Sequence, residues 1–373
     1  MKRLMDVDVL VVGAGPAGAA AALTLAQRGR SVTLFGSHAA RRRTFGEVMP
    51  PAAWPCLARL GADGAFATHW HLRSWRQSSS WGSAELASRD LSFHPHGCAW
   101  HLDREVFDAD LLDLACRYGV SYAPGDRLRG VTKTPAGWKV EFETLGSVEA
   151  RFVVEASGRA AAFARQIGID RRRPDRLVAM MGFFDSAETA TTKPVELLVE
   201  ASENGWWYLA PLPGGRFIAA FMTDAEMVPS GHGAQLEFWR SYLLQTLHAQ
   251  RWLGVDSRAV SQMRVVPAGM ERLSFVQGER WLAVGDAAVA FDPLSSHGLT
   301  HALDSGRLGG LAVDAALAGE WRLLAAYERV VAQRADENDV ARRGFYAAER
   351  RWPGSKFWAR RATDAQTIID SAL

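Results

Sequence analysis

The stretch Val7-Asp8-Val9-Leu10-Val11-Val12-Gly13-Ala14-Gly15-Pro16-Ala17-Gly18 decides the fold of this chain. Val7 to Val12 is a largely apolar run that reads as a buried strand. Pro16 to Arg28 is an Ala-rich helical stretch, and Ser31 to Phe35 a second β-rich run. The glycines therefore occupy the strand-to-helix turn of one βαβ unit, the context a G-x-G-x-x-G needs. Gly13 permits the tight turn, Gly15 lets the backbone approach a pyrophosphate, and Gly18 allows close helix–strand packing. With Pro16 and Ala17 they open a helix whose free N–H groups favour an anion. Outside this context the same glycines would read as a structural turn. One element is missing: the acid that accepts the ribose hydroxyls, expected about 20 residues on, falls where the chain has Gly36-Ser37-His38. Either Ser37 or an arginine of the Arg41 to Arg43 run, with Arg43 the candidate, contacts ribose or adenine, or the adenosine is held less tightly.

Outward from this unit, Thr68 to Trp100 loses clear periodicity and carries Trp70, Trp75, Trp81 and Trp100, which reads as loops and irregular strands covering something. Asp103 to Tyr118 reads as an amphipathic helix, and Trp138 to Glu143 and Ala150 to Glu155 as strands. Val178 to Asp224 alternates in the period-2 manner of an inserted antiparallel sheet. A helical stretch around Gln235 to Gln250, a strand over Arg280 to Val284, a long helix over Gly298 to Leu317 and a helical, Arg-rich C-terminus complete the chain. The 373 residues allow two or three domain-sized units, and 48% hydrophobic with 23% charged residues is an ordinary globular composition. A net charge of +2 argues against nucleic acid as a partner. Three cysteines without C-x-x-C spacing point to neither a disulfide framework nor a metal site. No uncharged apolar run reaches the length of a membrane span, and the N-terminus lacks a signal-peptide pattern; a soluble, cytoplasmic protein is expected.

A second motif follows the long gap: Trp281-Leu282-Ala283-Val284-Gly285-Asp286-Ala287-Ala288, then Phe291-Asp292-Pro293-Leu294-Ser295-Ser296-His297-Gly298. A strand ends in a carboxylate, and a Pro-containing loop leads into a helix whose N-terminus at Gly298 and Leu299 offers positive dipole to an anion. With the first motif, this resembles the FAD-dependent aromatic hydroxylases and their relatives, the flavin halogenases and geranylgeranyl-reductase-like enzymes, over essentially the whole chain. The resemblance implies an α/β fold: a Rossmann-type FAD domain (1-75, 100-170 and 265-325), an inserted antiparallel-sheet substrate domain (76-99 and 171-264) and C-terminal helices (326-373). It assigns Asp286 to a ribityl hydroxyl and Gly285, Pro293, Ser296, His297, Gly298 and Leu299 to the flavin loop. Phe152-Val153-Val154-Glu155-Ala156-Ser157-Gly158-Arg159 is similar to the family's middle motif, with Glu155 where Asp is usual. Arg104 stands where the family has an arginine reaching the cofactor, which implies a pyrophosphate partner, with a solvated helix-start arginine as the alternative.

Phe45-Gly46-Glu47-Val48-Met49-Pro50-Pro51, Gly205-Trp206-Trp207-Tyr208-Leu209-Ala210-Pro211, and Phe345-Tyr346 with Arg351-Trp352-Pro353-Gly354-Ser355-Lys356-Phe357-Trp358 narrow the resemblance. Together they resemble the flavoprotein maturases that modify a tryptophan in precursors of cysteine-tryptophylquinone amino-acid oxidases and amine dehydrogenases. That implies a monooxygenase using FAD, dioxygen and NAD(P)H or another reductant on a precursor quinoprotein. Halogenation would need a relay lysine and a W-x-W-x-I-P segment; no lysine lies between Lys2 and Lys133, and Trp206-Trp207-Tyr208 lacks the spacing. A hydroxylase asks the protein to exclude water, to hold an electron-rich ring and, where a base takes part, to remove a ring proton. Glu47, His297, His69 and His71 are the candidates for the last task, against the commoner role of a hydrogen-bonded structural side chain. Glu47 is also a candidate cofactor contact. Trp206, Trp207 and Tyr208 are candidate substrate contacts, but adjacent strand residues face opposite sides, so at most part of the set reaches one site. Arg342, Arg343, Arg350, Arg351, Arg360 and Arg361 read as a solvated helical face or as a docking face. Two other readings stand beside the maturase: a monooxygenase of a small aromatic or carrier-bound intermediate, and a non-catalytic flavoprotein chaperone of the precursor.

Overall fold

Strand Arg3–Val12 organises the first layer. It runs parallel to Val32–Gly36 on one side and to Gly146–Glu155 on the other; Ser121–Pro124 and Trp281–Ala283 extend the parallel set outward. Antiparallel pieces at Leu128–Lys133, Trp138–Phe142 and Gln277–Gly278 bring this sheet to eight strands. The computed structural model describes residues 3–36, 48–64, 66, 70–125, 127–185, 195–253 and 260–361. Val9, Leu10 and Val11 are fully buried, as a parallel strand covered on both faces must be. Helices Pro16–Gln27 and Gly298–Leu317 cover one face in close contact, which small residues on both make possible: a Cβ at Gly306 would come within 2.3 Å of the Ala17 carbonyl oxygen.

The second layer is a seven-stranded sheet in the order Val260–Pro267, Leu177–Asp185, Arg216–Asp224, Gly205–Leu212, Glu196–Ser202, Arg76–Ser80 and Ala87–Asp90. Its neighbours are antiparallel except where Arg76–Ser80 joins Glu196–Ser202. The period-2 alternation sends Trp206, Tyr208 and Ala210 to one face and Trp207 and Leu209 to the other. The first face meets Tyr346, Phe357 and Trp358 of the C-terminal segment; the second is covered by Trp239 and Leu243 of helix His232–Leu243.

The structure makes three sequence expectations more definite. The segment expected to hold loops and irregular strands contains strands Leu72–Ser74, Arg76–Ser80, Ala87–Asp90 and Ala99–His101. Arg76–Ser80 escaped notice because its inward residues are serines, made compatible with burial by bonds such as Ser78 Oγ to the Glu196 carboxylate at 3.0 Å. The helical stretch at Gln235 to Gln250 is two helices, His232–Leu243 and Ala249–Leu253. The buried Glu200 carboxylate starts the second by accepting from the N–H groups of Leu247, His248 and Ala249. Helix Arg322–Ala348 runs unbroken across position 326, with Leu324, Tyr327 and Val331 in the core of the first layer and Tyr346 in that of the second.

His101 ties the layers together, its ring Nδ1 lying 2.8 Å from the Pro211 carbonyl oxygen of the second sheet. Burial pulls its pKa down to about 4, and it does the same to His301, where nearby Arg334 adds to the effect. Both rings are neutral in the fold and take up a proton near pH 6.5 once unfolded. Their contribution to stability is therefore complete above about pH 6.5 and is lost as the pH falls towards 4, at roughly 1.4 kcal/mol per pH unit for each ring. Denaturant midpoints taken from pH 7.5 down to pH 4.5 are expected to fall, and His101→Gln to flatten the slope by about one proton; an unchanged slope would refute the assignment.

Candidate functional site

Three strands of the parallel sheet finish at one level. Val12 pairs with Glu155, and Glu155 with Ala283, while the Ala156 N–H donates to the Val12 carbonyl at 2.8 Å and the Val284 N–H to that of Glu155 at 2.9 Å. The segments beginning at Gly13, Ala156 and Gly285 therefore leave the same sheet edge side by side. Gly13 has φ +117°, and a Cβ there would lie 2.2 Å from the Ala156 carbonyl oxygen. Only glycine permits both the turn and the contact. Glu155 explains its departure from the usual aspartate locally: fully buried, it accepts from the N–H groups of Ser157, Phe163 and Ala164 at 2.7, 2.6 and 3.2 Å, starting the short helix Ala162–Gln166.

Above this edge lies a cavity of about 1120 Å³. Its wall includes Gly13, Gly15, Pro16 and Ala17, then Arg104, Arg159, Asp286, Pro293, Ser296, Gly298 and Leu299. It continues through Phe35, Tyr122 and Leu128 in one direction and Met181, Tyr208, Arg264, Val266 and Pro267 of the second sheet in another. Asp103 caps helix Arg104–Arg117 by accepting from the Glu105 N–H, and Asp108 aligns the Arg104 guanidinium through two bonds of 3.1 Å. The Asp286 carboxylate is 43% exposed, with the cavity as the space it faces. Burial within the fold raises its pKa, opposed by Arg159, Arg171 and Arg104.

Arg159 and Arg171 brace this corner. Arg159 donates to the carbonyls of Gly269, Ala268 and Phe291 at 2.7, 3.3 and 3.3 Å and lies 4.0 Å from Asp286. Arg171 pairs with Glu271 at 2.6 Å and donates to the carbonyls of Asp286 and Ala287. Sequence reasoning quoted Arg159 within the middle motif without a role and passed over Arg171. A basic side chain directly after the motif glycine was the available signal for the first; the second had none, since its partners lie 100 or more positions away.

The wall fits FAD. Gly15 has nothing within 4 Å of where a Cβ would stand, which leaves its backbone open to a pyrophosphate. Helices Pro16–Gln27 and Gly298–Leu317 both begin at the cavity without a side-chain cap on their first N–H groups, donors suited to an anion. Asp286 would accept from a sugar-like hydroxyl, and Arg104 would meet phosphate. Gly36 accounts for the missing acid: a Cβ there would be 2.4 Å from the Ala14 Cβ and 3.3 Å from the Tyr122 ring. The position is filled from both sides.

The remaining candidates divide. Gly18 packs beneath the turn, where a Cβ would strike the Gly13 carbonyl. Gly285 sits behind Asp286, its N–H donating to Ser305 Oγ at 2.8 Å. His297 is an exposed helix N-cap absent from the cavity wall. His71 is buried, accepts from the Asp103 N–H at 3.1 Å and packs on Phe66, a structural arrangement. Tyr208 reaches the wall. Trp206 and Trp207 do not: both are fully buried, Trp206 bonded to the Tyr346 hydroxyl at 3.1 Å and Trp207 turned to the opposite face against Phe221 and Trp239. Ser37, Arg43, Glu47 and His69 lie outside the described residues. Of the C-terminal arginines, Arg350 is exposed, as on a solvated face, and the other five are engaged within the fold. Arg342 and Arg361 are buried, Arg361 paired with Asp175 at 2.7 Å and Asp224 at 2.9 Å and Arg342 with Asp339 at 2.9 Å; Arg343, Arg351 and Arg360 also hold carboxylates. Among the described residues no helix is long and apolar enough to cross a membrane.

Fold and cavity together define a mixed α/β flavoprotein of the aromatic-hydroxylase and halogenase type. The chain belongs to the family described as FAD binding domain, whose profile matches residues 6–338, and it is an FAD-dependent enzyme of the monooxygenase class. It is 27% identical over 361 residues to the FAD-dependent oxidoreductase LodB of Marinomonas mediterranea, covering 95% of this chain and 96% of that one. It is 28% identical to a tryptophan 2-halogenase of Chondromyces crocatus over 88% of this chain and 65% of the relative. Among solved structures, the peptidyl tryptophan dihydroxylase QhpG, essential for tryptophylquinone cofactor biogenesis, aligns with a TM-score of 0.78 at 26% identity, covering 96% of this chain and 79% of that one. The myxobacterial halogenase CndH shares the fold, with a TM-score of 0.85 at 23% identity over 99% of this chain and 90% of that one.

Removing the Asp286 carboxylate takes away a charged acceptor, an effect of about 1.5–3 kcal/mol. Asp286→Ala is therefore expected to weaken FAD binding roughly 10- to 100-fold in a flavin-fluorescence titration. Restoring the usual acid with Gly36→Glu is expected to weaken binding as well, because of the Ala14 contact; tighter binding would show that the turn yields.

Proposed function

We propose that this flavoprotein hydroxylates a tryptophan side chain of a precursor quinoprotein amino-acid oxidase during cysteine-tryptophylquinone biogenesis. The observation that carries the reading is the joint likeness, over nearly the whole chain, to LodB and to a dihydroxylase of peptidyl tryptophan. It is supported by a cavity that extends from the dinucleotide turn to an aromatic and aliphatic wall on the second sheet. FAD, reduced by NAD(P)H or another donor, would supply the activation of dioxygen, with one oxygen atom going to the substrate ring and the other to water.

The chain's own residues have narrower tasks. Tyr208, Met181 and Val266 offer an indole ring a largely apolar surface and limit water around it. Arg159 fixes the relation of Asp286 to the sheet exit at Ala268 and Gly269. The first-turn N–H groups of Gly298 and Leu299 favour negative charge at the cavity wall and would help to hold the anion of a reduced flavin. No lysine stands among the described wall residues, which favours hydroxylation over a halogenation that needs an amine relay. Glu47 and His69 remain the proposed proton acceptors, His297 standing away from the cavity wall, and Ser37 and Arg43 the proposed contacts at the adenosine end.

Co-expression with a quinoprotein precursor, followed by mass spectrometry, tests the reading. One precursor tryptophan is expected to gain oxygen with wild type and to remain unmodified with Asp286→Ala. An unmodified precursor beside wild-type protein that holds reducible FAD would shift the assignment to a small aromatic or carrier-bound substrate. A stable complex that forms without flavin reduction or oxygen uptake would point to the chaperone role.

A further inference from the structure

The loop from Phe291 to Gly298 forms part of the cavity wall, yet its anchor lies outside the three flavin segments. Asp292, 1% exposed, accepts from the Leu294 N–H at 2.9 Å through one carboxylate oxygen and from the Tyr346 hydroxyl at 2.9 Å through the other. The Trp206 indole N–H in turn donates to the Tyr346 oxygen at 3.1 Å. Every bond in this chain points towards the carboxylate, so the Tyr346 proton has a single direction to face. Tyr346 and Trp206 are fully buried, and Arg361 and Arg342 lie 5.3 and 5.9 Å from the Tyr346 ring. Beyond Asp292 the backbone makes one tight turn, Pro293–Ser295, and Ser296 enters the left-handed region at φ +53°. That conformation is costly for a serine and is held only where its surroundings determine it. It delivers Gly298 and Leu299 to the cavity.

We propose that Tyr346 is a positioning residue for the flavin loop: its phenol holds the Asp292 carboxylate in place over Leu294, and so sets the backbone donors of Gly298 and Leu299 at the cavity wall. Trp206 holds the phenol from the substrate sheet, which makes the loop answer to both layers. The inference rests on FAD being the cavity's ligand and is independent of the substrate.

Tyr346→Phe removes one hydroxyl and keeps the ring; Asp292→Asn keeps the shape and removes the charge, testing the same bond from the other end. Each is to be purified with FAD and measured for melting temperature, FAD dissociation constant and flavin midpoint potential. Both are expected to weaken FAD binding about tenfold and to lower the preference for reduced flavin by about tenfold, which is about 30 mV for a two-electron couple. The double variant is expected to match the stronger single variant, because the two changes break one connection. Lowered melting temperatures with wild-type FAD affinity and potential would overturn the proposal, as would additive shifts in the double variant. Wild type that binds no FAD would remove the cofactor reading itself; wild type with reducible FAD and unmoved variants would remove this inference alone.

Discussion

The common level at which Val12, Glu155 and Ala283 end is the constraint on which the rest depends. Parallel register cannot slip by one residue without exchanging every side chain between the two packed faces of the sheet, and Val9 to Val11 and Val153 to Val154 are fully buried on both. The hydrophobic pattern of three distant strands therefore fixes the relative heights of three turns, and the turns make the cavity. Gly13 against the Ala156 carbonyl is where that alignment is tightest. The chain's long excursion into a second sheet between Glu155 and Trp281 leaves this geometry untouched, because the strands that frame it belong to the first.

Charge at the site is organised by arginines whose positions are set by carbonyl groups. Arg159 donates to the backbone oxygens of Ala268, Gly269 and Phe291, and Arg171 to those of Asp286 and Ala287. Each is thereby a rigid positive centre that favours the ionised form of Asp286 against the effect of burial. Glu271 offsets part of that charge at 2.6 Å from Arg171. A planar, five-donor guanidinium performs this bracing in a way a lysine would not, consistent with a chain that uses arginine for nearly all its basic residues.

Local patterns made the first layer legible: the strand-turn-helix around Gly13, the strand leading to Asp286 and the helix Gly298–Leu317 all follow from neighbours in sequence. Alternation also showed that Trp206, Trp207 and Tyr208 face two ways, but which face meets the cavity depends on what covers each, and Trp239 and Tyr346 supply the covers from far along the chain. Arg361 was read as surface because charged residues usually are. Its partners Asp175 and Asp224 lie 186 and 137 positions away. Arg76–Ser80 shows the converse, a polar sequence whose inward Ser78 and Ser80 are buried because their hydroxyls find acceptors.

The helix from Arg322 to Ala348, with its foot in one core and Tyr346 in the other, carries a consequence for how the molecule is made. Asp292 precedes Tyr346 by 54 positions and Trp206 precedes it by 140. On a ribosome, where earlier segments organise first, both waiting partners emerge well before the phenol that joins them. The two sheets would already exist as surfaces while the loop between them still lacked its anchor. The grip on the cofactor would then be completed only when synthesis has passed Tyr346, so that a pairing of two surfaces waits on a side chain made after both.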